Sequence, residues 1–130
     1  MIFDNCFTID LLKNDQKAFD KLLELEDRGV TQMITAITVF ELILGAEKSK
    51  HIEREKTRTQ KIYENMLIAD LDHKSAVCAA EIFAKSIKQG RTLPFSDCLI
   101  AGIALANNET ILTRNVKDFS RIEGLKIEDY

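Results

Sequence analysis

The sequence predicts an α/β sandwich with a central parallel sheet. Two observations predict it. Five short apolar or β-branched runs recur along the chain, namely Ile2-Phe3, Thr31 to Ala36, Leu67 to Leu71, Thr110 to Thr113 and Leu125 to Ile127. Each is separated from the next by helical patterning, and strands that alternate with helices pair in parallel. With 130 residues, 45% of them hydrophobic and 30% charged, the chain suits one domain over residues 1–130 with a true core, and no tail or linker stands out.

Taken in order, Ile2 and Phe3 open as a buried strand that ends at Asp4-Asn5, and Phe7, Ile9, Leu11 and Leu12 suggest a first short helix. Asp15 caps an amphipathic helix whose Ala18, Phe19, Leu22, Leu23 and Leu25 follow three-and-four spacing and which Gly29 stops. After the second strand, Thr38-Val39-Phe40-Glu41 has the form of a capping box opening another helix. Lys48 to Gln60 is almost wholly polar yet rich in helix formers, so it is expected to project into solvent. Asp72 caps a long helix running to Gly90. Ser96 is expected to cap a central helix that is apolar nearly all round from Leu99 to Ala106, with Asp97 in its first turn. Asn115 then caps a short helix whose third residue is Asp118.

Several function classes drop out. No apolar run approaches the roughly 20 residues that span a bilayer, and Met1-Ile2-Phe3-Asp4 reaches an acid too early for a signal peptide, so a cytoplasmic protein with no membrane partner is expected. Cys6, Cys78 and Cys98 are odd in number and lack CxxC spacing, so they read as core thiols and not as a disulfide frame or zinc site. His51 and His73 stand alone, which leaves oxygen as the only ligand chemistry for a metal and points to Mg2+ or Mn2+. A net charge of −3 argues against a protein that coats nucleic acid generally.

Four acids remain to be explained. In a parallel α/β sheet, functional groups gather at the carboxyl ends of strands and the adjoining helix starts. Asp4, Glu41, Asp97 and Asp118 all meet that description. Each alone has an ordinary structural reading: a turn for Asp4, the capping box for Glu41, helix-dipole partners for Asp97 and Asp118. Together they would repel one another in a water-poor crevice unless a cation compensates. The sequence therefore suggests a metal pocket.

The same positions carry a family resemblance that covers the whole chain. IFDNCFTIDLL, ITAITVFELILGA, LPFSDCLIAGIALANNETILTRNVKDF and the ending GLKIEDY resemble the PIN domain, and specifically the VapC-like ribonuclease toxins of type II toxin-antitoxin pairs. That resemblance implies a PIN-like three-layer α/β/α sandwich and a Mg2+- or Mn2+-dependent endoribonuclease. Asp4, Glu41, Asp97 and Asp118 become the metal-binding and catalytic acids, with Asn115 as a supporting polar group; Asn5, able to donate and accept hydrogen bonds, is expected to support them too. The resemblance also implies an RNA substrate, a homodimer, and a VapB-like antitoxin whose tail sets a basic side chain into the acidic pocket. The helices around Glu41 to Ala46 and Ile62 to Met66 are candidates for the groove that takes this tail.

One departure stands out. The family usually has Thr or Ser after its first acid, followed by Asn or Ser, where this chain has Asn5-Cys6. Phosphate contacts are expected first from Arg114, with Lys117 and Arg121 close by, and then from Arg91 in the loop before Asp97. A haloacid-dehalogenase-like phosphotransferase is disfavoured because Asp4-Asn5-Cys6-Phe7-Thr8 lacks the second acid of D-x-D-x-T. A receiver-type regulatory domain lacks its paired acids and late Lys. A PIN-fold processing nuclease without an antitoxin, or a PIN protein that binds RNA or protein without cutting, remains as an alternative.

Overall fold

In the computed structural model, which describes residues 1–130, β1 is two residues long, Ile2–Phe3, and both side chains are fully buried. Successive strand side chains leave opposite faces of a sheet, so this strand feeds two separate cores. Ile2 packs with Ile100, Ile103, Ile111 and Phe119 on one side, and Phe3 with Phe7, Leu11, Leu25, Ile34 and Leu112 on the other.

β1 is the middle of a five-stranded sheet that also contains β2 (Met33–Thr35), β3 (Leu67–Ala69), β4 (Thr110–Leu112) and β5 (Lys126–Glu128). The order is β3-β2-β1-β4-β5 and every pair is parallel. Parallel neighbours need crossovers, and helices supply them. α1 (Asn5–Leu12) and α2 (Gln16–Asp27) link β1 to β2, and α3 (Ala36–Glu47) and α4 (Ile52–Tyr63) link β2 to β3. α5 (His73–Lys88) and α6 (Phe95–Ala106) return to β4, and α7 (Val116–Phe119) precedes β5. The chain builds outward from β1 to β3 and then restarts at β4, so a crevice opens at the carboxyl ends of β1 and β4. The expected three-layer sandwich is the observed one.

Asp15 and Asp72 cap α2 and α5 as expected, accepting from the Ala18 and Ser75 N–H groups at 3.1 and 2.8 Å. Three other helix starts differ from the sequence reading. α3 begins at Ala36, because Thr35, still extended at the end of β2, accepts from the Thr38 N–H at 3.0 Å. Thr38 is therefore inside the helix, the capping box does not form, and Glu41 sits one turn further in. α6 begins at Phe95 with Pro94 in the N-cap position, since the Pro94 carbonyl already accepts from Cys98 N–H at 3.1 Å. Ser96 caps nothing, although Asp97 keeps its place in the first turn. Asn115 precedes α7 without a capping bond, because its side chain is turned elsewhere.

Two further expectations are corrected. α4 does not project: Thr59 is buried, the Arg58 guanidinium donates to the Leu12 carbonyl, and only the outer face is left to charge. Ile62, Tyr63 and Met66, each half-buried, pack onto the Phe3 and Phe7 core. Of the three cysteines only Cys98 is fully in the core. α5 and α6 are held close by Gly102, where a Cβ would lie 2.7 Å from the Ala79 Cβ, the Ala79 nitrogen and the Ser75 carbonyl. No helix is long and apolar enough to cross a membrane.

Candidate active site

Asp4 ends β1 and caps α1, and the sheet order sets it beside the end of β4. Its carboxylate is buried, and three donors fix it. The Asn5 N–H reaches Oδ1 at 2.7 Å, while the Thr113 hydroxyl and the Cys6 thiol reach Oδ2 at 2.8 and 3.2 Å. Burial, and then the Asp4 charge, push the Cys6 thiol above its ordinary pKa, so it serves here as an S–H donor. Where the family carries a hydroxyl near its first acid, this chain uses sulfur and a Thr from the neighbouring strand.

Thr113 connects this acid to the next. Its hydroxyl accepts from the Asn115 N–H at 2.9 Å, and Asn115 Nδ2 donates to Asp97 Oδ2 at 3.3 Å. Asp4 and Asp97 are thus joined through three consecutive positions of the β4–α7 connection. The Asp97 carboxyl is pushed up to about 6, first by burial and then by the charges of Asp4, Glu41 and Asp118, with the Asn115 bond pulling the other way. That ordering places the other three acids within electrostatic reach of Asp97. No three His, Cys, Asp or Glu side chains close tightly enough to grip one ion.

Glu41 is half-buried on α3 and faces a cavity of about 240 Å³ between α1, α3 and α4, shared with Asn5, Ile9, Leu42 and Ala46. Asn5 Oδ1 is buried with no hydrogen-bond partner. A second cavity of about 200 Å³, beside Lys85, Leu105 and Glu123, contains none of the four acids.

The expected phosphate-binding cations divide into two pairs. Arg114 forms an ion pair with Asp10 at 2.7 Å, and Arg121 lies 3.6 Å from Asp118 while also donating to the Arg91 carbonyl. Both are therefore engaged within the protein. Lys117 and Arg91 are exposed and make no ion pair. Thr113 and Asp10 are not singled out by the sequence, and Cys6 stands out there only as a departure from the family pattern. Thr113 had a signal, as the hydroxyl closing TILT directly before Arg114-Asn115, whereas the part played by Asp10 depends on a contact 104 positions along the chain.

Comparison with known proteins agrees with this fold. The family model of the PIN domain matches residues 1–125. The tRNA(fMet)-specific endonuclease VapC of Shigella flexneri is 35% identical over 97 residues, covering 75% of this chain and 74% of that protein. Ribonuclease VapC2 of Rickettsia felis is 32% identical over 108 residues, 83% of this chain and 81% of that protein. Among solved structures, VapBC2 of Rickettsia felis bound to a DNA fragment from its promoter superposes with a TM-score of 0.90 at 27% identity, over 100% of this chain and 99% of that one. DNA-bound VapBC of Salmonella typhimurium gives 0.88 at 30% identity, over 98% and 96%. The chain belongs to the PIN-domain family and, within it, to the VapC proteins.

Proposed function

We propose that this chain is the toxin of a VapBC-type toxin-antitoxin pair and hydrolyses RNA phosphodiester bonds with Mg2+ or Mn2+. The observation that carries the reading is that Thr113 and Asn115 join the buried Asp4 to Asp97 at the switch point of the sheet, with burial and the neighbouring charges of Asp4, Glu41 and Asp118 raising the Asp97 pKa. An all-oxygen donor set short of positive charge, with the unpartnered Asn5 Oδ1 beside Glu41, suits a hard divalent cation.

Asp4, Glu41, Asp97 and Asp118 are the residues that would hold it. A bound ion would supply the positive charge that acidifies a nearby water and offsets charge building on phosphorus and the leaving 3′ oxygen. The protein's own part is orientation and charge. Three donors hold Asp4 in one rotamer, and Asn115 stabilises the ionised form of Asp97 through Nδ2. Lys117 and Arg91, exposed and unpaired, are the phosphate contacts at the rim. The apolar cleft of Ile9, Leu12, Leu42 and Ala46, with Phe40 and Leu44 exposed on the same helix as Glu41, takes the tail of a VapB-like antitoxin. A second copy covers the apolar surface formed by Ala80, Phe83, Ile87, Phe95 and Leu99, giving the homodimer. The site of action is the cytoplasm.

The test uses the purified chain, free of antitoxin, with total cellular RNA and with initiator tRNA, the substrate class in the name of the Shigella relative. Cleavage at discrete sites with Mg2+ or Mn2+, lost in EDTA and in Asp97→Asn, is the expected result. A folded protein that binds Mn2+ but leaves both RNA samples intact would remove the nuclease reading.

A further inference from the structure

Asp10 is a buried carboxylate that the proposed chemistry does not use. It is 5% exposed, close to the 4% of Asp4. It lies on α1 four residues beyond Cys6 and hence on the same face, one turn further along. Arg114 engages both positions. Its N–H donates to Cys6 Sγ at 3.3 Å, and its guanidinium pairs with Asp10 Oδ2 at 2.7 Å. The Tyr130 hydroxyl donates to the same Oδ2 at 2.8 Å, its ring meets Phe7 edge-on at 4.8 Å, and the guanidinium carbon lies 5.7 Å from that ring's centre.

Arg114 lies between the two residues that contact the acids. Thr113 donates to Asp4 and Asn115 donates to Asp97. A loop held at one point can pivot, but one held by its backbone at Cys6 and by its side chain at Asp10 cannot. We propose that Asp10, Arg114 and Tyr130 form a clamp of positioning residues that sets the β4–α7 loop and thereby aligns Asp4 with Asp97. The consequence for catalysis rests on the proposed nuclease reading, whereas the clamp itself does not. It also reassigns Arg114: a guanidinium neutralised by Asp10 and laid over Tyr130 is a poor phosphate contact.

The experiment uses the full chain carrying Arg114→Lys, Asp10→Asn or Tyr130→Phe. Arg114→Lys keeps the charge but loses the planar fork, and Tyr130→Phe loses only a hydroxyl, so it serves where the others fail to fold. Two readouts are taken: the Asn115 side-chain amide signal by NMR in metal-free protein, and kcat and KM separately on an RNA that wild type cuts. The clamp predicts a shifted Asn115 signal in each variant. It also predicts kcat lower by about tenfold to a hundredfold for Arg114→Lys with KM within about twofold, the pattern of a misplaced group. A raised KM with kcat and the amide signal unchanged would make Arg114 an RNA contact. A lower melting temperature with the amide signal and kcat unchanged would make the cluster a structural pair only. Either result overturns the proposal, and the amide readout still decides it if wild type cuts no RNA.

Discussion

Asp97→Asn is expected to stabilise the metal-free protein while abolishing its activity. In the folded chain the Asp97 pKa is raised from 3.8 to about 6. The native state therefore holds more protons than the unfolded state between those two values, and stability falls as pH rises through that window. Above about 6 the charged carboxylate is retained at its full cost. The whole shift corresponds to about 3 kcal/mol; Asp97 is half-buried, and solvent screening brings this to about 1 to 2 kcal/mol. Asparagine keeps the acceptor for Asn115 and removes the charge. In EDTA at pH 7.5 the variant should melt higher than wild type by about 3 to 8 °C, and the difference should shrink to a small part of that near pH 4 and vanish only well below 3.8, where the wild-type carboxyl is neutral in both states. Saturating Mg2+ should return the advantage to wild type, since a ligand at 100 times its Kd adds about 2.7 kcal/mol. Calorimetry at four pH values, with and without the ion, reads all of this. A variant that melts lower at pH 7.5, or that gains equally at pH 4, would show that Asp97 is not under the repulsion described.

Other expectations follow from single contacts. Thr113→Val deletes a 2.8 Å hydroxyl bond to the buried Asp4, and should lower kcat by more than about tenfold while Thr113→Ser stays near wild type; equal loss in both would point to packing. Lys117→Ala and Arg91→Ala should each raise KM with little change in kcat and flatten the salt dependence of RNA binding by about 0.7 in slope per contact, which binding assays at several salt concentrations can check. Gly102→Ala sets a Cβ 2.7 Å from backbone atoms of α5, and should cost about 1 to 3 kcal/mol in urea unfolding; an unchanged midpoint would mean that the two helices separate freely.

The acids were legible in sequence because Asp4 and Asp118 follow strand ends, Asp97 stands in the first turn of an apolar helix, Glu41 lies early in the helix after β2, and their motifs are local. Asp15 and Asp72 were legible as caps for the same reason, since an N-cap bond spans three residues. Thr38 and Ser96 misled because the sequence offers two capping hydroxyls close together, Thr35 with Thr38, and because Pro94 starts a helix without any side-chain cap. Long-range partners decide which is used. The amphipathic reading of α4 underrated Thr59, one small residue on a polar helix that packs inward. Nothing local announces that Arg114 belongs to Asp10 and Tyr130, as those residues meet only once α1, β4 and the end of β5 lie side by side. The basic run after β4 reads in sequence as one set of phosphate contacts, whereas in the fold Arg114 and Arg121 pair with Asp10 and Asp118 and Lys117 does not pair.

The central claim is that the crevice of Asp4, Glu41, Asp97 and Asp118 binds a divalent cation for RNA cleavage. Calorimetric titration with Mn2+ at pH 6, in two buffers of different ionisation enthalpy, tests it most directly. With the Asp97 pKa at about 6, binding to wild type should release roughly half a proton per ion, and almost none at pH 8. Asp97→Asn should bind far more weakly and release none. Tight binding that releases no proton and survives the substitution, or no binding at all, would contradict the account.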